Sequence, residues 1–211
     1  MDGYLTLRAG VSATGEFEDR RSRFIAHLIH VETEQAADEH QAAVRAEHYD
    51  ARHNVPAWIL SNGRERASDD GEPQRTSGLP TLEVLRGAGL ADVSCVTTRY
   101  FGGTLLGPGG LVRAYTAAAQ AAVKSAREQG MIVEMTSVVP VDLRIAYPDY
   151  DRVLDLARRA GAHVAGTDFT DAVDLHLVFR SGEQEPFLAA LREALAGRDV
   201  ARVGAARFAE F

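Results

Sequence analysis

Residues 97–115 read TTRYFGGTLLGPGGLVRAY. Gly102, Gly103, Gly107, Gly109 and Gly110 fall close together around Pro108, with Arg99 before them and Arg113 after. The run that leads in, ADVSCVTTRYF, is short, apolar and β-branched, which predicts a central strand. Beyond the loop, Leu111, Val112, Tyr115, Ala118, Ala119, Ala122, Val123 and Ala126 share one helical face, and Arg113, Thr116, Gln120 and Lys124 lie off it. The stretch is therefore a strand–loop–helix junction. Backbone N–H groups at a helix start are unpaired and favour an anion, and glycine allows positive φ and close approach. A phosphate cradle, a surface for another macromolecule and a tight, close-packed turn are all compatible with that pattern. The loop has no Gly-Lys-Ser/Thr ending, which counts against a Walker-type nucleotide site.

Arg113 is placed in the first turn of the helix, where the dipole disfavours a cation by a few tenths to about 1 kcal/mol. An anion nearby is expected, either internal or bound. The internal candidates lie upstream in ASDDGEPQRTSGLP, where Asp69, Asp70 and Glu72 cluster around Gly71. Three carboxylates could hold Mg²⁺, or they could pair with arginine and cap the following helix. Arg99 or Arg113 is expected to approach one of them.

Working outward, SRFIAHLIHV and NVPAWILS are strand-like, with a helical TEQAADEHQAAVRAEH between them, so the first half is α+β. In the second half SVVPVDLRIAY alternates Val139, Val141, Leu143 and Ile145, the pattern of a half-buried strand. A helix follows through Tyr150, Val153, Leu154 and Ala157, with Asp149 as its N-cap and Gly161 as its stop. AHVAGTDFTDAVDLHLVFR reads as two strands around Thr170 and Asp171. A helix holding Phe187, Leu188, Leu191 and Leu195 ends at Gly197, and Val200 to Phe208 forms a last strand. The order β-α-β-β-α-β is the ferredoxin-like split unit. Two domains are expected, 1–132 and 136–211.

Composition narrows the class. Apolar residues make up 45% and charged residues 25% of 211, the profile of a globular chain able to bury a core. The start, MDGYLTLRAG, has no basic segment followed by an apolar one, so no signal peptide is expected. Cys95, the only cysteine, lies in an apolar run; no internal disulfide is possible, and a cytoplasmic setting is expected. The net charge of −7 argues against a broadly basic nucleic-acid coat. The seven histidines form no metal set: His27 and His30, three apart on a strand, face opposite sides. No Gly-x-Ser-x-Gly elbow is present, and Cys95 is expected to be buried. No catalytic residue, cofactor or metal is assigned.

RYFGGTLLGPGGLVRAY, with SDDGEP upstream, resembles the signature of the IMPACT family, including its bacterial YigZ-type members. RSRFIA near the start and ARHNVPAWIL also fit the family, so the resemblance covers nearly the whole chain. Two departures are visible: the acidic turn runs on as Gln74 to Pro80 rather than through small residues, and Pro56 sits in a strand, where it cannot donate to the ladder. The resemblance implies a first domain with the βαβ fold of ribosomal and translation-factor domains, and a second like the last domain of elongation factor G. It implies a translation-linked regulator that binds RNA, the ribosome or a translation-regulatory protein. Neither a membrane nor DNA is expected as a partner. Because the protein is net negative, RNA binding would need a local patch. The candidates are Arg75, Arg99, Tyr100 and Arg113 with the amides of Gly102, Gly103, Gly107, Gly109 and Gly110. The alternative is a phosphate-chemistry enzyme using the same loop with Mg²⁺ on Asp69, Asp70 or Glu72.

Overall fold

The structure, a computed structural model, describes residues 3–211. Its elements in the first half are β1 (Tyr4–Leu7), β2 (Ser12–Asp19), β3 (Ser22–His30), α1 (Glu34–Glu47), β4 (His53–Ile59), β5 (Glu65–Ala67), α2 (Gly78–Gly87), β6 (Val93–Tyr100) and α3 (Gly107–Glu128). The second half contains β7 (Ile132–Ile145), α4 (Tyr150–Arg159), β8 (His163–Phe169), β9 (Val173–Arg180), α5 (Gln184–Ala194), β10 (Ala201–Val203) and β11 (Arg207–Glu210). The chain divides into two compact units, Tyr4–Val133 and one built on Glu134–Phe211. The architecture is mixed α/β.

In the first unit five antiparallel strands run in the order β2-β3-β6-β4-β5. β6 is central, as its apolar run predicts. Both β3 and β4 flank it, so β3-α1-β4 is a split βαβ crossover. Alternation along β6 sends Val93, Cys95 and Arg99 toward α2 and α3, whereas Ser94 and Tyr100 face α1. Thr33 caps α1, its hydroxyl accepting from Ala36 N at 3.1 Å. Pro56 sits in β4 without breaking the ladder to β6. Its carbonyl accepts from Ser68 N at 3.1 Å, so its missing N–H faces the β5 side, at the end of that short strand.

The helix after the glycine loop begins at Gly107, four residues earlier than the apolar spacing suggests, because Pro108 in its first turn fits helical φ. Two corrections follow. Arg113 lies in the second turn, where the dipole argument weakens. Val112 is 36% exposed, and its place in the buried face is taken by Ala114.

The second unit has strand order β8-β9-β7, with β10 and β11 on the other edge of β7, the ferredoxin-like arrangement. Val139, Val141, Leu143 and Ile145 are buried against Val153, Ala157, Phe187 and Leu191. The tail forms two short strands rather than one. Between them Gly204 packs on Pro140 and donates to its carbonyl at 2.8 Å, and Pro140 has no N–H to return. Asp149 occupies the N-cap position of α4 but caps nothing with its side chain; it binds Arg198 at 2.8 Å instead. Among the described residues no helix is long and apolar enough to cross a membrane.

Candidate functional site

The acidic turn and the glycine loop meet at one end of the first sheet, where the β4–β6 ladder pairs His53 with Arg99. Asp70 and Gly71 both take positive φ, at 45° and 85°, which folds the turn back over His53. The three acids then have separate structural duties. Asp69 accepts from the amides of Arg75 (2.7 Å), Ser77 (3.1 Å) and Gly78 (3.0 Å) and from Ser77 Oγ (2.8 Å), organising the start of α2. Burial opposes its charge, but those donors outweigh it and hold the carboxyl below its ordinary range. Asp70 accepts from Asn54 N at 2.7 Å and Arg45 at 2.6 Å. Glu72, buried, accepts from Arg99 Nη1 at 2.7 and 2.9 Å and from Tyr115 Oη at 2.8 Å. Burial and then the Glu72 charge push the Tyr115 hydroxyl far up.

Arg99 therefore meets the acidic turn, as expected, while Arg113 is exposed and makes no ion pair among the described residues. The Arg99 guanidinium lies 5.6 Å from the Phe24 ring centre and 5.7 Å from that of Phe101. Among the described residues all of its hydrogen bonds run from Nη1 to Glu72, and Nε is buried without a partner. On the other face of β6, Tyr100 donates to Asp50 at 3.1 Å and accepts from His48 Nδ1 at 2.9 Å. That leaves His48 Nε2 to accept from His27 Nε2 at 3.1 Å. His53 donates from Nδ1 to the Asp70 carbonyl at 2.8 Å, so its Nε2 carries the free lone pair when the ring is neutral.

The glycines differ in what they do. A Cβ on Gly102 would stand 2.1 Å from the Arg21 carbonyl carbon, so the loop packs directly on the β2–β3 turn, with Ser22 Oγ accepting from Gly102 N at 3.0 Å. Gly103 and Gly107 take positive φ, and a Cβ on Gly110 would meet Leu106. Gly109 has neither constraint: it is exposed, helical, and open space surrounds it. No side chain caps this helix start.

A cavity of about 380 Å³ opens at this end, walled by Asp50, Arg52, His53, Arg99, Tyr100, Phe101 and Leu105. It unites Arg99 and Tyr100 from the sequence candidates and leaves out Arg75, Arg113 and the helix-start glycines. Arg75 instead lines a larger cleft of about 890 Å³ between α2 and α3, with Leu79, Val84 and Val112. Sequence reasoning missed Arg20, Arg21 and Arg52. Arg20 reaches the Leu105 carbonyl at 3.4 Å. The signal was an arginine doublet at a tight turn and an arginine just ahead of a strand. Among the described residues no group of three potential ligands could hold a metal. Cys95 is buried in β6, where desolvation pushes its thiol up to about 12.

Residues 20–123 match the Impact N-terminal domain, and residues 143–198 match a domain of unknown function, DUF1949. The IMPACT family member YvyE of Bacillus subtilis is 47% identical over 109 residues, half of each chain. The IMPACT family member YigZ of Escherichia coli is 32% identical over 197 residues, covering 92% of this chain and 94% of its own. An IMPACT family member of Haemophilus influenzae is 35% identical over 94% of this chain and 95% of its own. A solved structure described only as that of a hypothetical protein aligns with a TM-score of 0.58 at 32% identity, covering 97% of this chain and 98% of that one.

Proposed function

The chain belongs to the IMPACT family, and from that premise we propose that it is a non-catalytic, translation-linked protein of the cytoplasm that takes RNA on the glycine-loop end of its first unit. One observation carries this reading. Asp69, Asp70 and Glu72 are each engaged by protein donors, yet Arg20, Arg21, Arg52, Arg75 and Arg113 form no ion pair among the described residues. In a chain of net charge −7, these are the guanidinium groups of the first unit left to meet a phosphate, Arg113 among them on the helix whose start no side chain caps. Phosphates are held by such arginines and free amides without any sequence readout. Phe101, 58% exposed, offers a face on which a base can stack. The phosphate-chemistry alternative loses support from the same facts, since the acids it would use already serve the fold.

The test is a titration of a short single-stranded RNA at several salt concentrations. The reading predicts modest affinity that falls steeply with salt, by about 0.7 in log K per decade of salt for each phosphate contacted. No binding at low salt would overturn it and leave a translation-regulatory protein as the partner.

A further inference from the structure

We propose that the cavity at the open end of the β4–β6 ladder is a nucleotide pocket. Its arginines would hold the phosphate of a nucleoside monophosphate, and Phe101 would cover the base. The proposal deepens the RNA reading and rests on it only for one source of the ligand, the 5′-phosphorylated end of a strand; a free mononucleotide carries the same chemistry.

Three features of the wall select a phosphate. Arg52 has no acid partner among the described residues. Arg99 is nine-tenths buried and spends only Nη1 on Glu72; its Nε is sealed from solvent, and Nη2 is the donor left for a ligand among the described residues. A buried guanidinium short of acceptors favours an anion with several oxygens. Asp50, the acid of the wall, accepts from Tyr100 and keeps its negative charge, so the phosphate must sit on the Arg52 and Arg99 side. His53 adds a nitrogen whose role suits a phosphomonoester: with Nδ1 committed to the Asp70 carbonyl, Nε2 can accept the phosphate's proton or donate to its dianion. Two features select a nucleotide over a bare ion. About 380 Å³ is at the lower end of small-ligand pockets, enough for one nucleotide and too little for a folded partner. The rim is apolar, with Phe101 58% and Leu105 80% exposed, and Arg99 lies against the Phe101 ring.

The experiment measures fluorescence anisotropy of a ten-nucleotide RNA bearing either a 5′-phosphate or a 5′-hydroxyl, with UMP and inorganic phosphate as competitors, and the binding of UMP alone by isothermal titration calorimetry. It is run on the full chain, Arg52→Ala and Phe101→Ala. The expected result is at least ten-fold tighter binding of the phosphorylated end, displaced by UMP far better than by inorganic phosphate. Arg52→Ala should abolish the difference between the two ends without shifting the melting temperature, and Phe101→Ala should weaken UMP several-fold. Arg99 is left in place because removing it would strand Glu72. Equal affinity for both ends, with RNA still bound and UMP inert, would overturn the pocket and spare the RNA reading. UMP bound with no affinity for either RNA would support the pocket and overturn the RNA reading. Inorganic phosphate competing as well as UMP would overturn the assignment of a nucleotide, and no binding of any probe would overturn both.

Discussion

Glu72 is the residue on which the site end turns. Its carboxylate sits between Arg99 and Tyr115 inside the unit, with His53 Nε2 4.0 Å away. A buried pair of this kind adds little net stability over apolar residues, but removing one partner leaves an uncompensated charge and costs about 3–5 kcal/mol. Glu72→Ala is therefore expected to destabilise the chain by that order, measured by urea unfolding. A loss under 1 kcal/mol would mean that Arg99 finds other acceptors and that the pair does not organise this end. The SDDGEP run showed a cluster of acids, and an arginine partner for it was legible from the sequence. Which arginine was not. Arg99 wins over Arg113 because alternation along β6 points it inward, whereas α3 begins early enough to place Arg113 outside.

The elements carry two further expectations. Gly109 lies in the first turn of α3 with open space where a side chain would be, so no steric reason requires glycine there. Alanine in a helix is favoured over glycine by roughly 0.5–1 kcal/mol. Gly109→Ala should raise the melting temperature slightly and weaken RNA binding, because the methyl group screens the adjacent amides. Unchanged affinity in the stabilised variant would remove the helix start from the interface. The packing of α1 on β6 sets a pH response. His40 donates or accepts at Ser94 Oγ (2.9 Å), and burial, then the charge of His27, pushes its pKa down to about 4. The unfolded chain binds that proton near pH 6.5, so between about 6.5 and 4 it holds more protons than the native state. Stability is full above 6.5 and falls as pH drops through this window. His27, also lowered by burial and then by His48, acts in the same direction. Urea midpoints from pH 7.5 to 4.5 should fall less for His40→Gln than for the natural chain; parallel curves would contradict the assignment. Periodicity revealed β3, β4, β6, α1 and α3. It did not reveal β1, β2 or β5: β1 and β5 are too short to show a period, and β2 alternates small and charged residues because Gly15 must let α3 approach. A Cβ there would stand 2.0 Å from Ala122 N.

Taken whole, the molecule gives its second unit a core of its own, drawn from β7, β9, α4 and α5. We expect residues 134–211, expressed alone, to give a cooperative melt and dispersed amide resonances; a molten fragment would contradict an independent fold. The β-α-β-β-α-β order of this half was legible because β9 and the end of β7 alternate cleanly and α4 stops at a glycine. The site was only partly legible. A motif displays its own glycines and arginines, but Arg20, Arg21 and Arg52 reach this end through the β2–β3 turn and the α1–β4 connection, which no local pattern encodes. RNA binding is ascribed here to the arginines around the glycine loop. Arg113 tests it most directly, since it is exposed and pairs with no acid among the described residues. The measurement is RNA affinity against salt, with melting temperature in parallel, for Arg113→Ala and the natural chain. The expected result is an unchanged melting temperature, weaker binding and a salt slope reduced by about 0.7, one phosphate's share. Unchanged RNA affinity at every salt concentration would contradict it.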